Sequence, residues 1–187
     1  MKVIDIIEIT MQEFKDSIYS KYTELFPEDE RKSLKRLKRT YHNGIGKIFK
    51  IVLNDLTIGF FMMEKIKNYP FYLDYFAIYK EYQNKGYGTE AMKELINRIA
   101  CNNGLIGEIE KENKDDINTI KRLEFYRKIG FRKTGAEYFL YNVCYTPIIF
   151  TKRETIDREE LNKIFFEYYI INCGEDEIEK NCKIITQ

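Results

Sequence analysis

A glycine-containing loop with polar and basic neighbours is the segment of this sequence best suited to bind phosphate. It reads Gln83-Asn84-Lys85-Gly86-Tyr87-Gly88-Thr89 and lies between a strand-like stretch and an amphipathic helical stretch. Glycines at such a junction let the backbone approach a ligand closely, and amide N–H groups at a helix N-terminus attract negative charge. The segment therefore predicts a site for a pyrophosphate group.

Two classes of ligand offer such a pyrophosphate, dinucleotides and coenzyme A. Gly86-x-Gly88-x-x-Ala91 matches the dinucleotide fingerprint in its alanine form, and Glu108 stands on the next predicted strand, where an acid would bind the ribose. That fingerprint should follow its strand almost directly, whereas residues 80–85 intervene here. It should also open its domain, but about 80 residues that include a strand meander precede it. The dinucleotide is therefore the lesser alternative.

A second block that could carry chemistry lies downstream, at Phe125-Tyr126-Arg127-Lys128-Ile129-Gly130-Phe131. It ends a predicted helix over residues 116–129, for which Gly130 is a suitable C-terminal stop. Tyr126 continues the apolar series of that helix, which indicates core packing. The chain also has 15 tyrosines, so a tyrosine alone is weak evidence for catalysis.

Together the two blocks resemble the GCN5-related N-acetyltransferase (GNAT) superfamily. Gln83-x-x-Gly86-x-Gly88 resembles its acyl-CoA-binding signature, Arg/Gln-x-x-Gly-x-Gly/Ala, and the stretch Leu73–Ile78 resembles its central strand. The block Phe125–Phe131 is similar to the family's Tyr-x-x-x-Gly-Phe helix ending. Two motifs in the right order are more specific than either alone.

The resemblance implies the α/β GNAT acyl-CoA N-acyltransferase fold, whose mixed central sheet is flanked by helices. The periodicity of this sequence agrees with that order of elements. A β-branched run, Val3–Ile9, predicts a first strand, and alternating stretches predict an antiparallel meander of three strands. These are Ile48–Leu53, Leu56–Met63 and Phe71–Tyr79. A helix then leads to a strand at Leu105–Glu110, which we expect to lie parallel to the last strand of the meander. Phe131–Lys133 and Glu137–Tyr145 complete the predicted sheet.

Two helices are predicted between the first strand and the meander. Thr10 and Glu13 form a capping box for a helix that extends to about Ser20. Pro27 opens the second helix, with acidic residues in its first turn and a run of bases after them. The bases are Arg31, Lys32, Lys35, Arg36, Lys38 and Arg39. Because no aromatic residues alternate with them, this stretch favours a solvated helix face over a nucleic-acid surface.

Carried over to this sequence, the resemblance implies acetyl-CoA as co-substrate. Backbone groups of Phe76, Ala77 and Ile78 would bind the acetyl carbonyl and the pantetheine arm. The pyrophosphate would be held by backbone N–H groups of Gln83, Asn84, Lys85, Gly86, Tyr87, Gly88 and Thr89, with Lys85 adding charge. Tyr126 would lie near the sulfur and protonate the thiolate that leaves.

Acetyl transfer to an amine also needs a group that removes a proton from the acceptor. Glu110 is the predicted base, and Glu108, on the same strand face, and Asp74, on the neighbouring strand, are its alternatives. Each acid is equally suited to an ordinary ion pair or hydrogen bond. Thr119 stands where many family members have an asparagine, which leaves that contact to the pantetheine in doubt.

The composition excludes several other functions. Lys and Arg number 31 against 30 Asp and Glu, a net charge of +1, so no overall field attracts nucleic acid or an anionic membrane. One histidine and four cysteines without a CxxC pair predict no metal site. No apolar run is long enough to span a membrane. Without a signal peptide, the expected location is cytoplasmic, with reduced thiols.

A chain of 187 residues corresponds to one domain with a surplus. We predict a GNAT domain over residues 1–150 and a C-terminal helical extension over 151–187. In the extension, Asp157 and Glu160 cap a helix that ends at Gly174, and the acidic stretch Glu175–Glu179 is solvated. The extension packs on the domain or at an interface, which leaves a homodimer open.

The predicted activity is that of an N-acetyltransferase, bacterial-like in its motifs. It would transfer the acetyl group of acetyl-CoA directly to a primary amine of a small molecule or peptide, through a ternary complex. The alternative is a non-catalytic acyl-CoA-binding or regulatory module of the same fold. No motif in the sequence identifies the amine.

Overall fold

A computed structural model describes residues 4–100, 103–152 and 157–185. The chain divides into two compact units. The first comprises Met1–Lys67 and Leu73–Ile99, and the second comprises Asn68–Tyr72 and Ala100–Gln187. Val3 and Cys101 lie outside the described residues, whereas Cys144, Cys173 and Cys182 are not in disulfide bonds. In the part of the chain that is described, no helix is both long and apolar enough to cross a membrane.

The order of strands and helices follows the prediction, with one additional helix before the second strand and one additional helix and strand at the C-terminal end of the described residues. The strands are β1 (Ile4–Glu8), β2 (Gly46–Leu53), β3 (Leu56–Glu64), β4 (Phe71–Ile78), β5 (Leu105–Glu110), β6 (Arg132–Lys133), β7 (Glu137–Leu140), β8 (Val143–Phe150) and β9 (Cys182–Ile185). The α-helices are α1 (Met11–Ser17), α2 (Tyr19–Leu25), α3 (Leu34–His42), α4 (Tyr87–Leu95), α5 (Ile117–Ile129), α6 (Arg158–Cys173) and α7 (Glu175–Asn181). Short 3₁₀ turns at Glu28–Glu30 and Lys80–Tyr82 and a π-helical turn at Ile96–Ala100 complete the helical segments.

The first unit contains the predicted meander, in the order β1-β2-β3-β4. β1 and β2 are antiparallel, with Ile6 opposite Ile51, and so are β2 and β3. Asn54 and Asp55 connect β2 to β3 with φ values of 48° and 67°, the left-handed pair that a two-residue hairpin needs. The prediction of these strands is confirmed.

Aromatic residues form the core between this sheet and the first two helices. The side chains of Phe14 and Ile18 are fully buried, and Tyr22 is 1% exposed. The ring of Tyr22 lies edge-on to that of Tyr75, with centroids 5.0 Å apart. The cap predicted for α1 is confirmed, since the Thr10 hydroxyl accepts the amide of Glu13 at 3.1 Å.

The predicted start of the next helix is wrong. Pro27 opens only the 3₁₀ turn Glu28–Glu30, after which the chain is extended, with Arg31 at φ −91° and ψ 135°. Helix α3 begins at Leu34, because the hydroxyl of Ser33 accepts the amide of Arg36 and caps the first turn. Lys32 is therefore on an extended segment, and only the later bases lie on α3.

The second unit has mixed strand directions. The first two residues of β4 pair in parallel with β5, Phe71 with Leu105 and Tyr72 with Ile106. β5 is antiparallel to β8, which also pairs with β6 and β7, and β7 pairs with β9. The predicted fold class, a mixed sheet with a parallel β4/β5 step and flanking helices, is confirmed.

The last predicted strand is wrong in its limits. Glu137–Tyr145 is a hairpin in which Tyr141 and Asn142, at φ 46° and 67°, make the turn between β7 and β8. β8 then continues to Phe150. The sequence predicted one continuous strand here, because Tyr141 is not a typical turn residue.

The C-terminal helix is confirmed as α6, with Asp157 as its N-cap and Gly174 at its end. It packs within the second unit: the hydroxyl of Tyr168 donates to the carbonyl of Pro70 at 2.7 Å, and its ring stacks on Tyr72. The acidic stretch after it is not simply a solvated tail, because it forms α7 and buries Ile178. The domain boundary near residue 150 stays a prediction.

Gly59 brings the backbones of β3 and β4 into close contact. A Cβ atom at this position would lie 2.3 Å from the carbonyl oxygen of Ala77. Gly59 and Ala77 lie on paired strands, so the added methyl group would push the two backbones apart. The substitution Gly59→Ala should therefore lower the free energy of unfolding by about 1–3 kcal/mol. Chemical denaturation measures this. Leu56→Ala, at a 58% exposed position of the same strand, is the control and should change stability by less than about 0.5 kcal/mol. Equal effects of the two substitutions would contradict the prediction.

Candidate active site

The predicted pyrophosphate loop directly precedes α4. Gly86 is the N-cap of this helix, with φ 85°, and its carbonyl accepts the amides of Thr89 at 3.1 Å and Glu90 at 3.2 Å. Asn84 is also left-handed, with φ 60°. The first amides of a helix generally lack a carbonyl partner inside it, which is why such ends bind anions. Here the amides of Thr89 and Gln83 are already bonded, to the carbonyls of Gly86 and Lys80, so these two predicted contacts to a pyrophosphate are not supported. The loop thus has the geometry of an anion site.

Side chains of the loop hold its shape. Nε2 of Gln83 donates to the carbonyl of Ile78 at 2.8 Å and ties the loop to the end of β4. The ammonium group of Lys85 donates to the carbonyl of Glu81 at 2.7 Å. The glutamine of the motif therefore acts through the backbone, by fixing the path of the chain between strand and helix.

The end of β4 is held rigidly by its neighbour. The ring of Phe76 stacks on Phe61 of β3, with centroids 4.7 Å apart and planes 14° apart. The amide of Tyr79 donates to the carbonyl of Ile58 at 2.8 Å. The three positions expected to meet the acetyl group, Phe76 to Ile78, are thus placed by the β3–β4 pairing.

Tyr126 lies on the last turn of α5, in the second unit. Its half-buried ring packs edge-on against Phe125 and Phe131, each at 5.1 Å between centroids. Among the described residues, none forms a hydrogen bond with its hydroxyl group. Burial raises the pKa of Tyr126 to about 12, against the opposing charge of Arg122. The hydroxyl is therefore protonated at neutral pH and able to donate.

The two acids of β5 both have partners. Glu110, the predicted base, forms an ion pair with Arg122 of α5 at 3.2 Å. Glu108 accepts the hydroxyl of Tyr72 at 3.0 Å and that of Tyr169 on α6. These contacts favour a structural role for both acids. Catalysis by Glu110 stays a prediction.

Asp74 of β4 lies in a buried ionic cluster that sequence analysis did not foresee. Nζ of Lys32 is 2.5 Å from Oδ2 of Asp74 and 2.8 Å from Oε1 of Glu64. The side chains of Lys32 and Asp74 are 9% and 10% exposed, and that of Glu64 only 3%. We call these three residues the Lys32 cluster. In the sequence, the one indication of this cluster is Ser33. Because Ser33 caps α3, Lys32 lies before the helix and not on its solvated face.

Hydrogen bonds of two tyrosines hold Lys32 in this position. Its amide donates to the hydroxyl of Tyr75 at 2.9 Å, and its carbonyl accepts the hydroxyl of Tyr22 at 3.2 Å. The Tyr75 hydroxyl in turn donates to the carbonyl of Glu30 at 2.8 Å. The backbone amide and carbonyl of Lys32 are thus both bonded to tyrosines of the aromatic core.

Burial and charge act in opposite directions within the cluster. Burial raises the pKa of Asp74 to about 6, although the charge of Lys32 opposes it. Burial alone would lower the pKa of Lys32, but the charges of Asp74 and Glu64 outweigh it and raise that pKa above its usual value. Lys32 therefore remains an ammonium group at neutral pH, and the charge of Arg36 also acts on Asp74.

A surface cavity in the first unit reaches the cluster. It contains about 250 Å³ of free space, including its open mouth, and both Glu64 and Asp74 line it. Its apolar lining consists of Leu37, Ile48, Met62 and Met63. Within the described residues, no group of three or more His, Cys, Asp or Glu side chains is placed to hold a metal ion. The cavity is therefore polar at one end and apolar along its sides.

The predicted residues are divided between the two units. Phe76 to Ile78, the loop Gln83–Thr89 and Asp74 belong to the first unit, whereas Glu110 and Tyr126 belong to the second. Within the first unit, the hydrogen bond from Gln83 to Ile78 links the strand to the loop. Within the second, Arg122 pairs with Glu110 one helical turn before Tyr126.

Comparison with known proteins identifies the family. Residues 45–133 match the model of the acetyltransferase (GNAT) domain, a range that includes β2 to β6. The curated protein YjbC of Bacillus subtilis (strain 168), which is named as an acetyltransferase, is 25% identical over 158 residues, which cover 81% of this chain and 69% of YjbC. The family resemblance recognised from two motifs is confirmed over residues 45–133, the part of the chain that matches the GNAT domain model.

Solved structures agree on the fold. A GNAT-family structure from Bacteroides thetaiotaomicron has a TM-score of 0.74 at 20% identity and covers 91% of this chain and 98% of its own. Arabidopsis thaliana NAA60 in complex with acetyl-CoA has a TM-score of 0.60 at 11% identity. The match covers 79% of this chain and 98% of NAA60. At these identities the likeness shows the fold alone.

Removal of the buried ammonium group should strongly destabilise the protein. Lys32→Met keeps most of the side-chain volume but removes the ammonium group that contacts two buried carboxylates, which should cost about 3–5 kcal/mol at pH 7. Urea denaturation measures this cost. Lys21→Met, which removes an exposed pair with Glu24, is the control and should have only a small effect. A small effect of both substitutions would contradict a buried ionic cluster.

The stability of the protein should depend on the protonation of Asp74. Because burial raises its pKa to about 6 from the usual 3.8, its contribution is most favourable below pH 4 and is lost as the pH rises through 6. Relative to Asp74→Asn, the wild-type free energy of unfolding should therefore fall as the pH rises from 4 to 7. Denaturation curves of both proteins at several pH values measure the difference, and a constant difference would refute it.

Proposed function

We propose that this protein is an N-acetyltransferase that transfers the acetyl group of acetyl-CoA to a primary amine of a small molecule or peptide. The observation that carries the proposal is the GNAT domain match over residues 45–133. The matched range includes the loop Gln83–Thr89 with its left-handed Gly86 before α4. Direct transfer through a ternary complex is the route that the family resemblance implies.

The loop before α4 fits the pyrophosphate of coenzyme A. A Cβ atom at Gly86 would meet nothing within 4 Å, so its surroundings are open to a ligand, and its φ of 85° turns the chain into the helix. Two comparisons support the choice of ligand: NAA60 and a Bacillus anthracis relative were solved in complex with acetyl-CoA. A dinucleotide is less well supported, because the turn Lys80–Tyr82 separates β4 from the loop.

The proposed reaction assigns a task to each part of the chain. Acetyl-CoA, when bound, supplies an activated acetyl thioester. Backbone groups of Phe76 to Ile78 orient the acetyl carbonyl, and amides of the loop bind the pyrophosphate. The neutral amine attacks the carbonyl carbon, the carbon–sulfur bond breaks, and the nitrogen loses one proton to water. The Tyr126 hydroxyl donates a proton to the thiolate and regains one from solvent.

The test of Tyr126 is removal of its hydroxyl group. Tyr126→Phe keeps the ring packing against Phe125 and Phe131 and should lower kcat at least about tenfold, with the Kd of acetyl-CoA unchanged. Steady-state kinetics and calorimetric titration measure the two effects. Tyr141→Phe, at a 48% exposed position, is the matched control. An unchanged kcat for Tyr126→Phe would remove this residue as the acid.

The activity itself is tested by the release of free thiol from acetyl-CoA across a panel of primary amines. We expect turnover with at least one amine and thermal stabilisation by acetyl-CoA. Stabilisation without turnover on any amine would favour the non-catalytic acyl-CoA-binding module. Stabilisation by NAD and not by acetyl-CoA would overturn the proposal in favour of a dinucleotide.

A further inference from the structure

We propose that the outer, basic face of α3 binds an acidic peptide segment that flanks the amine to be acetylated. This face consists of Lys35, Lys38, Arg39 and His42, and we call it the α3 basic face. Lys38 is half-buried and the other three residues are exposed. The inference rests on the proposed function, because it names the substrate class of the same reaction: a peptide or protein with acidic residues near its primary amine.

The helical repeat places these four residues on one side of α3. Each lies three or four positions from another, the spacing that brings side chains onto the same face of a helix. The opposite side faces the core: Leu37 is 6% exposed and Thr40 is 4% exposed. Leu34 and Tyr41 pack against the same buried cluster. Basic and buried residues are therefore separated around the helix axis.

No acidic residue balances this face on the helix itself. The sequence predicts Glu28–Glu30 in the first turn of this helix, but these acids form a separate 3₁₀ turn, and α3 has none in its first turn. Residues 31–50 contain eight Lys and Arg and no Asp or Glu. Among the described residues, none forms an ion pair with Lys35 or Lys38, whereas Arg39 has a contact of its own.

This arrangement lowers the stability of the helix. Positive charge in a first turn opposes the helix dipole, and Lys35 lies in that turn without an acid beside it. Like charges three and four positions apart also repel each other, as Lys35 repels Lys38 and Arg39. Residues that lower stability are often retained because they serve a function. A ligand with carboxylates would supply the charge that the helix lacks.

The α3 basic face suits an acidic peptide better than a nucleic acid. From Lys35 to His42 it extends about 10 Å along the helix, which matches two acidic side chains on one side of an extended chain, about 7 Å apart. Surfaces for single-stranded nucleic acid add aromatic rings on which bases stack. No Phe, Tyr or Trp belongs to this face, since Tyr41 packs against the core. The net charge of +1 also provides no overall field for a polyanion.

The α3 basic face is attached to the strand that is proposed to orient the acetyl group. Lys32 precedes Lys35 by three residues, and its ammonium group lies 2.5 Å from Oδ2 of Asp74 on β4. Asp74 precedes Phe76, the first position expected to meet the acetyl carbonyl, by two residues. All of them belong to the first unit. An acidic flank bound to α3 would thus hold its peptide on the unit that carries this strand.

Direct binding is measured by fluorescence anisotropy with the full chain. The probes are three labelled lysine peptides with free N-termini that differ only in three flanking residues, which are all Glu, all Gln or all Arg. The glutamate peptide should bind at least about tenfold more tightly than the glutamine peptide at low salt. High salt should remove most of this difference, because it screens exposed charges. Equal affinity for the three peptides would overturn the proposal.

A charge-reversal variant, Lys35→Glu/Lys38→Glu, isolates the face. It should lose the preference for the glutamate peptide and favour the arginine peptide instead. Its free energy of unfolding should not fall, because a glutamate in the first turn suits the helix dipole. The control Lys93→Glu/Lys163→Glu changes the net charge equally, at exposed positions of α4 and α6, and should keep the preference. An equal loss in both variants would assign the effect to net charge and contradict the proposal.

Kinetics separates this inference from the proposed function. In the thiol-release assay, kcat/KM should be at least about tenfold higher for the glutamate peptide than for the glutamine peptide, mainly through KM. The ratio should fall to about one in the charge-reversal variant. If thiol is released with other amines and the glutamate peptide is not preferred, the inference fails while acetyl transfer stands. If no amine is acetylated, the proposed function fails, and glutamate-dependent anisotropy still supports an acidic-peptide surface.

Two other occupants of the α3 basic face are outcomes of the same experiments. If an oligothymidylate of equal charge competes with the glutamate peptide as well as the unlabelled peptide does, the face is a nucleic-acid surface. If light scattering shows a dimer that only the charge-reversal variant dissociates, the face is an interface between two copies of this chain. Either result would overturn the assignment to an acidic peptide.

Discussion

The contact of one buried ammonium group with two carboxylates is the constraint on which the first unit of this protein depends. Lys32 lies between Glu64 of β3 and Asp74 of β4, so a single side chain joins the segment before α3 to two strands of the sheet. A buried charge is tolerated only when its partners are in place. The tyrosines that bind the backbone of Lys32 therefore serve both the packing of the aromatic core and the position of an ionisable group.

Strand β4 connects this cluster to the rest of the proposed chemistry. Asp74 stands near its middle, Phe76 is stacked on Phe61, and the carbonyl of Ile78 is held by Gln83 of the loop. Gly59 allows β3 to approach the same stretch closely. A strand fixed by its neighbour is a better support for reacting groups than a mobile loop, because small errors of position are costly in catalysis. The loop motif and the Lys32 cluster are thus both attached to β4.

Much of the fold and part of the candidate site could be predicted from local signals. Thr10, Asp116, Asp157 and Gly130 mark helix ends, and the structure has helices that begin or end at each of them. The pair Asn54 and Asp55 makes its turn as expected. Errors arose where two local signals competed: Pro27 suggested a helix start, but the Ser33 cap determined it. Tyr141 concealed a turn because its residue type does not indicate one.

The sequence by itself determined the family resemblance, most of the order of elements and the position of the glycine-containing loop before α4, because each depends on residues close together in the chain. Only the tertiary structure decided the environment of the acids. Glu110 and Arg122 are distant in sequence, as are Lys32, Glu64 and Asp74, and ion pairs of this kind leave no periodic pattern. The same holds for Tyr126, whose spacing predicts core packing but whose pKa of about 12 comes from burial in the folded protein. Charge and burial are properties of the folded chain, since they depend on what three-dimensional packing places around each group.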